Sequence, residues 1–273
     1  MKRRIIELLF AFIMTLALLV LFISVGLGIG VFNSRSIIKS IDQSDYYNKV
    51  YNSIYQKTQI LLSEGGLSVD LLSDVITPAR VHADGMNYVN ATLNNKSPYI
   101  SDIYNDLVSH IRNNQSLEAN NSSTNIDIDD IATGIEYEYS NEVELVFVKY
   151  LMNIKAGFKK VMIILIPCIL LLLIILSYLL IRMDRYKHRG IRYIAYAMIA
   201  SSVLTVLTAA YCLLSRSYID SSIVPDYYNQ FISSYLKNGI TVYIYIGILG
   251  FIVALGLITL IGHMRNKIVY TNK

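Results

Sequence analysis

The chain has no tryptophan, only two cysteines and four prolines in 273 residues, and just 16% of its residues are charged. Each shortage excludes something. Two cysteines cannot staple an extracellular fold, and there is no C-x-x-C pair to hold zinc or run redox chemistry. Cys168 and Cys212 both fall inside apolar runs, where cysteine behaves as a small hydrophobe and is expected to be buried. So little charge against 54% hydrophobic residues is wrong for a soluble domain. G-x-S-x-G, H-E-x-x-H and Walker-type sequences are also missing, so no motif names an enzyme class and none is expected.

What is present is four long apolar runs: Leu8–Phe32, Val161–Ile181, Ile191–Leu214 and Ile240–Ile261. A bilayer core of about 30 Å takes roughly 20 helical residues to cross, and each run reaches that length. Asp, Glu and Lys are absent from all four, and Arg192 stands alone at the edge of the third. Ionisable groups inside a membrane mark ion and proton paths because burying them is costly. Their absence argues against a proton-coupled transporter and leaves a passive pore or a lipid pathway open. The expected fold class is all-α, with four transmembrane helices. The first run follows Met1-Lys2-Arg3-Arg4, but its 25 residues exceed a signal-peptide core of about 7–15, so residues 1–32 read as an uncleaved anchor.

Lys and Arg close to the spans set the orientation. Arg182, Arg185, Lys187, Arg189 and Arg192 crowd the link between the second and third runs (182–190) against a single Asp184. Lys2, Arg3 and Arg4, together with Arg265, Lys267 and Lys273 in the 263–273 tail, agree with it. Both termini and the link are therefore expected in the cytoplasm of a multi-pass cell-membrane protein. Residues 33–160 and 215–239 then face outwards, and Lys155, Lys159 and Lys160 fall on the side the rule disfavours. The segment 33–160 carries 16 acidic and 11 basic residues, so the net charge of +4 joins a mildly acidic outer part to a basic inner face. That pattern reflects topology and is no nucleic-acid footprint.

The outer segment reads as short helices separated by turns. Gly65-Gly66 breaks the first, and Ser68 caps a second over Val69 to Ile76. Thr77-Pro78 and Ser97-Pro98 each set a capping hydroxyl before a proline at the first helical position. Ile100, Ile103, Leu107, Val108 and Ile111 recur at helical spacing, whereas Asn113 to Thr124 is polar and reads as a loop. From Val143 a 3.6-residue period continues into the second run, which predicts one long helix. Asp127, Asp129 and Asp130 resemble the start of a calcium loop with Glu138 at its twelfth position, but Ile131 and Ala132 occupy places that need an oxygen ligand and a glycine. A solvated acidic turn is the better reading. His82 with Asp84 lacks a shared helical face; His110 with Asp106 has one and is expected to be a surface pair. No cofactor or metal is implied.

One segment occurs twice. Ser34–Lys57, SRSIIKSIDQSDYYNKVYNSIYQK, aligns without a gap to Ser215–Asn238, SRSYIDSSIVPDYYNQFISSYLKN, at a constant offset of 181 with 10 of 24 positions identical. Each copy follows a span that runs outwards, so the simplest account is two hairpins of the same orientation related by a pseudo-twofold axis along the membrane normal. In each copy Asp45 or Asp226 is placed to cap a helix. Its apolar side is Tyr47, Val50, Tyr51 and Ile54, or Tyr228, Phe231, Ile232 and Tyr235, and the two copies are expected to pack on each other. Asp45, Tyr46, Tyr47, Tyr51, Asp226, Tyr227, Tyr228 and Tyr235 are thus the candidate structural or interaction residues. Small residues at four-residue spacing, Gly26/Gly30, Ala197/Ser201 and Gly250/Ala254, suit close packing within the bundle.

With its basic N-terminus, one span, an external YYxxVYxxI-type helix (Tyr46 to Ile54), a helical outer domain and three later spans, the chain resembles a loose group of four-span membrane proteins of Gram-positive bacteria. Its Ile-, Asn-, Lys- and Tyr-rich composition suits an AT-rich bacterial genome. The layout is also similar to permease subunits of FtsX and MacB type, which implies a cytoplasmic ATPase as partner, although the 182–192 link leaves no obvious coupling helix. Membrane lipids, other envelope proteins and that ATPase are the expected partners. An outer domain that senses, binds or scaffolds at the cell envelope is the leading expectation; a permease-like subunit or small channel is the alternative.

Overall fold

The computed structural model describes residues 2–64, 67–68, 70–98, 100, 102–118, 128–183, 187–216, 218–219 and 225–271. Among these, every regular element is a helix. Contacts divide the chain into a bundle (Met1–Ser40, Lys155–Ile223, Ile232–Lys273) and a second unit (Ile41–Ile154, Val224–Phe231).

Four helices are long and apolar enough to cross a membrane. They are α1 (Lys2–Gly26, extended by a π turn over Leu27–Val31), α8 (Val146–Met183), α9 (Lys187–Leu214) and α10 (Asp226–Thr271). A chain in hydrocarbon must satisfy every backbone group internally, which makes helices the local solution. The expected long helix out of the second run is present from Val146, and Pro167 lies inside it without breaking it. In the bundle, Met14, Ala17 and Leu18 of α1 pack with Ile169, Leu173 and Leu176 of α8 and with Ala197 of α9.

Helix α10 joins through small residues. An added Cβ on Gly30 would stand 3.0 Å from the Gly239 carbonyl oxygen, and one on Gly26 would strike the Tyr243 ring. Gly247 lies against Val206 and Ser202, and Gly250 against Ser202 and Phe22. In lipid, where apolar association gains little, such close backbone approach supplies the dispersion contacts that hold helices together. The π turn leaves the Val31 carbonyl free of the regular ladder, and Tyr235 Oη donates to it at 2.5 Å. The cysteines depart from expectation: Cys168 is exposed, since α8 turns Ile169, Leu173 and Leu176 inwards, and Cys212 is half-buried, the small residues that α9 buries being Ala195, Ala197, Ser201 and Ala209 instead.

The second unit holds α2 (Ser34–Ser44) from Ile41 on, then α3 (Tyr46–Glu64), α4 (Asp70–Ser73), α5 (Pro78–Leu93), α6 (Ile103–Glu118) and α7 (Ile128–Val143). It also takes in the first turns of α8 and α10. Helix α3 packs against α5 and α7, and α6 against α7. Thr77 caps α5 as its sequence suggests, its hydroxyl oxygen accepting the Arg80 N–H at 3.2 Å.

The start of α6 differs: it begins at Ile103 and not at Pro98, because Asp102 takes the capping role. Its Oδ1 accepts from Asn105 N–H at 3.1 Å and its Oδ2 from the Asn105 amide, which holds the Asp102 carboxyl below the ordinary carboxylate value. Asn113–Glu118 continue α6 where a loop was expected, while 119–127, including Asp127, lie outside the described residues, as do Asp184 and Arg185 of the link. Asp129 and Asp130 stand in the first turn of α7, where the helix dipole favours negative charge. With 128–138 helical, no twelve-residue calcium loop runs through them.

A Cβ on Gly190 would come within 2.5 Å of the Leu180 carbonyl oxygen and 2.6 Å of Ile181 Cα, both backbone atoms, whereas one on Gly256 meets nothing within 4 Å. Gly190→Ala is therefore expected to cost about 1–3 kcal/mol and to lower the melting temperature of the purified protein, with Gly256→Ala leaving it unchanged. Equal melting temperatures for the two variants would contradict the packing described.

Candidate functional site

Helix α3 carries the repeated DYYN at its start, and its buried face differs by one position from the pattern expected. Tyr46, Tyr47, Val50 and Ile54 are buried, while Tyr51 is only partly so and pairs with Tyr55 at 6.0 Å between ring centroids. The Asp45 carbonyl accepts from Lys49 N–H at 3.3 Å at the start of α3, but the Asp45 carboxylate caps a side chain and not a backbone N–H. Asp45 sits at φ 53°, a left-handed conformation that Asp tolerates better than most residues, and its Oδ1 accepts from the Asn48 side chain at 2.7 Å. Asp226 opens α10 and is exposed.

The two copies meet through equivalent residues. The Tyr46 ring lies edge-on to Tyr227 at 5.6 Å and beside Phe231 at 5.5 Å. Lys49 Nζ donates to Gln230 Oε1, and both Tyr46/Tyr227 and Lys49/Gln230 are 181 residues apart, the offset of the repeat. Lys49 also donates to the Ser44 carbonyl. Tyr228 touches Phe231. Tyr235 belongs instead to the bundle, on the Val31 carbonyl.

Around this junction stand further residues that the repeat does not bring together. Glu142 of α7 accepts a short hydrogen bond from Tyr227 Oη and pairs with Lys57 at 2.7 Å, while Glu138 pairs with the same Lys57 at 2.8 Å. Hydrogen bonds from the Lys57 ammonium to these two carboxylates raise its pKa above the ordinary lysine value. Deeper in, Tyr139 Oη donates to the buried Asp84 at 2.8 Å. The Tyr47 ring covers Gly85 so closely that a Cβ there would sit 2.0 Å from the ring, and Tyr47 Oη is buried without a hydrogen-bond partner. His82 is exposed and stacks edge-on to Tyr47 at 6.0 Å. The expected His110–Asp106 pair is not formed: Asp106 bonds Arg80 at 2.6 Å, and His110 approaches Asp74 at 3.8 Å.

Burial pushes the Tyr46, Tyr47 and Tyr139 phenols well above their ordinary value, with neighbouring Tyr47 adding to Tyr46 and Asp84 to Tyr139. Phenols held protonated in this way donate hydrogen bonds and fill volume; they are poor bases and nucleophiles near neutrality. No group of three or more metal-ligating side chains is found among the described residues. The junction is thus suited to joining chain segments. Comparison with protein-family models, curated proteins and solved structures finds no match for this chain.

Two outcomes check this geometry. In a double-mutant cycle, Tyr46→Ala and Tyr227→Ala are expected to couple by about 0.5–1.5 kcal/mol in the unfolding of the second unit, followed by protease resistance; additive effects would show that the rings do not interact. In alkaline solution the folded state holds the buried phenolic protons more tightly than the unfolded chain, whose tyrosines ionise near about pH 10. Their contribution to stability is therefore full below that pH and is lost as pH rises above it. Of the 22 tyrosines, a fraction should show tyrosinate absorbance only on unfolding; a single reversible ionisation of all of them would contradict the burial.

Proposed function

We propose that the chain is a non-enzymatic integral membrane protein whose second unit is an extracytoplasmic domain that senses, binds or scaffolds partners at the cell envelope. Its four spans form two hairpins of the same orientation related by a pseudo-twofold axis, with both termini in the cytoplasm. The observation that carries the sensing role is the continuity of two helices. Val146–Ile154 of α8 and Asp226–Phe231 of α10 belong to the second unit, and each helix then runs without a break through its apolar stretch. A partner that repacks the tyrosine junction acts directly on the first turn of α10. The pseudo-twofold is supported by the contacts of Tyr46 with Tyr227 and Lys49 with Gln230, since equivalent positions meet each other only near such an axis. The basic termini and link support the orientation.

Purification of the full chain from native membranes in mild detergent, with cysteine labelling at both termini, tests this reading. An envelope protein retained by the wild type and lost on Tyr227→Ala is the expected result. A stoichiometric cytoplasmic ATPase would favour the permease-like alternative, and labelling of either terminus from outside the cell would overturn the orientation.

A further inference from the structure

The bundle has a second basic end. Arg35 and Lys39 follow the first span, Lys155, Lys159 and Lys160 precede the second, Arg216 follows the third and Lys237 precedes the fourth. Contacts inside the bundle hold these four segments at one level. The Phe32 and Phe158 rings are 4.6 Å apart, Gly30 abuts the Gly239 backbone, Asn238 donates to Ser40 Oγ at 2.9 Å, and Ser233 Oγ donates to the Tyr218 carbonyl at 3.5 Å. Lys155 is half-buried and the other six cations are exposed. Segments 33–40, 155–162, 212–219 and 232–240 contain no Asp or Glu, Asp220 being the one acid in the bundle's stretch 212–223, and among the described residues none of the seven cations forms an ion pair.

Membrane insertion does not require this collar. The positive-inside rule asks for cations at one face only, and the N-terminus, the 182–192 link and the C-terminal tail already supply them at the other. Like charges gathered at one level repel, and an anionic surface beside them lowers that repulsion. Depth identifies that surface. Arg35, Lys159, Lys160, Arg216 and Lys237 lie within three residues of the ends of the apolar runs, or about 5 Å along a helix rising about 1.5 Å per residue, and this is where lipid phosphates sit.

We propose that this collar binds the phosphate groups of anionic phospholipid headgroups, holding a shell of such lipids at the end of the bundle where the chain passes into the second unit. The binding concerns whichever leaflet lies at that end, so it stands or falls separately from the orientation, which terminal labelling tests.

The test uses the full-length protein in nanodiscs of phosphatidylcholine mixed with phosphatidylglycerol, with retained lipid counted by native mass spectrometry after extraction. The wild type is expected to retain phosphatidylglycerol preferentially. Lys155→Gln, Lys159→Gln and Lys160→Gln together should weaken that retention by about tenfold or more, given roughly fivefold per cation near an anionic surface. The matching triple Arg variant should keep it, and an unchanged melting temperature shows that the Gln variant is folded. Should the Gln variant not fold, raising salt on the wild type serves instead, since screening should abolish the preference. Equal retention by wild type and Gln variant, no preference for the anionic lipid, a preference insensitive to salt, or displacement by millimolar inorganic phosphate, which would mark a site for free phosphate, would each overturn the proposal.

Discussion

The seating of the first turn of α10 against α3 is the constraint on which the rest of the second unit depends. Chain segments 181 residues apart meet there through Tyr46 and Tyr227, and Phe231 and Gln230 add contacts with Tyr46 and Lys49. Tyr46 is buried and Tyr227 half-buried, and an edge-on pair of aromatic rings contributes about 0.5–1.5 kcal/mol beyond the area it buries. Glu142 then takes both the Tyr227 hydroxyl and the Lys57 ammonium, which ties α3, α7 and α10 into one hydrogen-bonded set.

A different force holds the bundle. Its outward surface is rich in exposed leucine and isoleucine, as expected where the solvent is hydrocarbon, so sequestering apolar area cannot select the helix neighbours. Size does. Gly30 and Gly247 admit α10 to backbone distance and Gly26 and Gly250 make room for the Tyr243, Ser202 and Phe22 side chains, while a Cβ on Gly256 or Gly262 of α10 would meet nothing within 4 Å. Small-residue spacing therefore proposes close approach, and the neighbour's shape decides which glycine is used.

Much of the fold was legible in the chain. The four apolar runs specify membrane-length helices through length and composition alone, and Thr77-Pro78 specifies the start of α5 through a local hydrogen bond. Local competition spoiled other readings: Asp102 offers a carboxylate cap that outweighs the Ser97-Pro98 signal and moves the start of α6 to Ile103. Asn113–Glu118, polar enough to read as a loop, stays helical as the continuation of α6. The candidate site was half legible. The repeat named Tyr46 and Tyr227, but Glu142, Lys57, Asp84 and Tyr139 pair across 55 to 85 residues, and no spacing rule reaches that far.

By itself, then, the sequence determined which stretches are membrane-length helices, where α5 starts and that one element occurs twice, because hydropathy, a local cap and identity are properties of neighbouring or aligned residues. Tertiary structure alone decided that Tyr46 and not Tyr51 faces the second copy, that Asp106 serves Arg80 and not His110, that Tyr235 bonds the Val31 carbonyl, and that cations from four segments share one end of the bundle. Those outcomes turn on the rotation of each helix about its axis and on which helices become neighbours. Both are set by the packing of distant side chains, and a linear pattern carries no record of it.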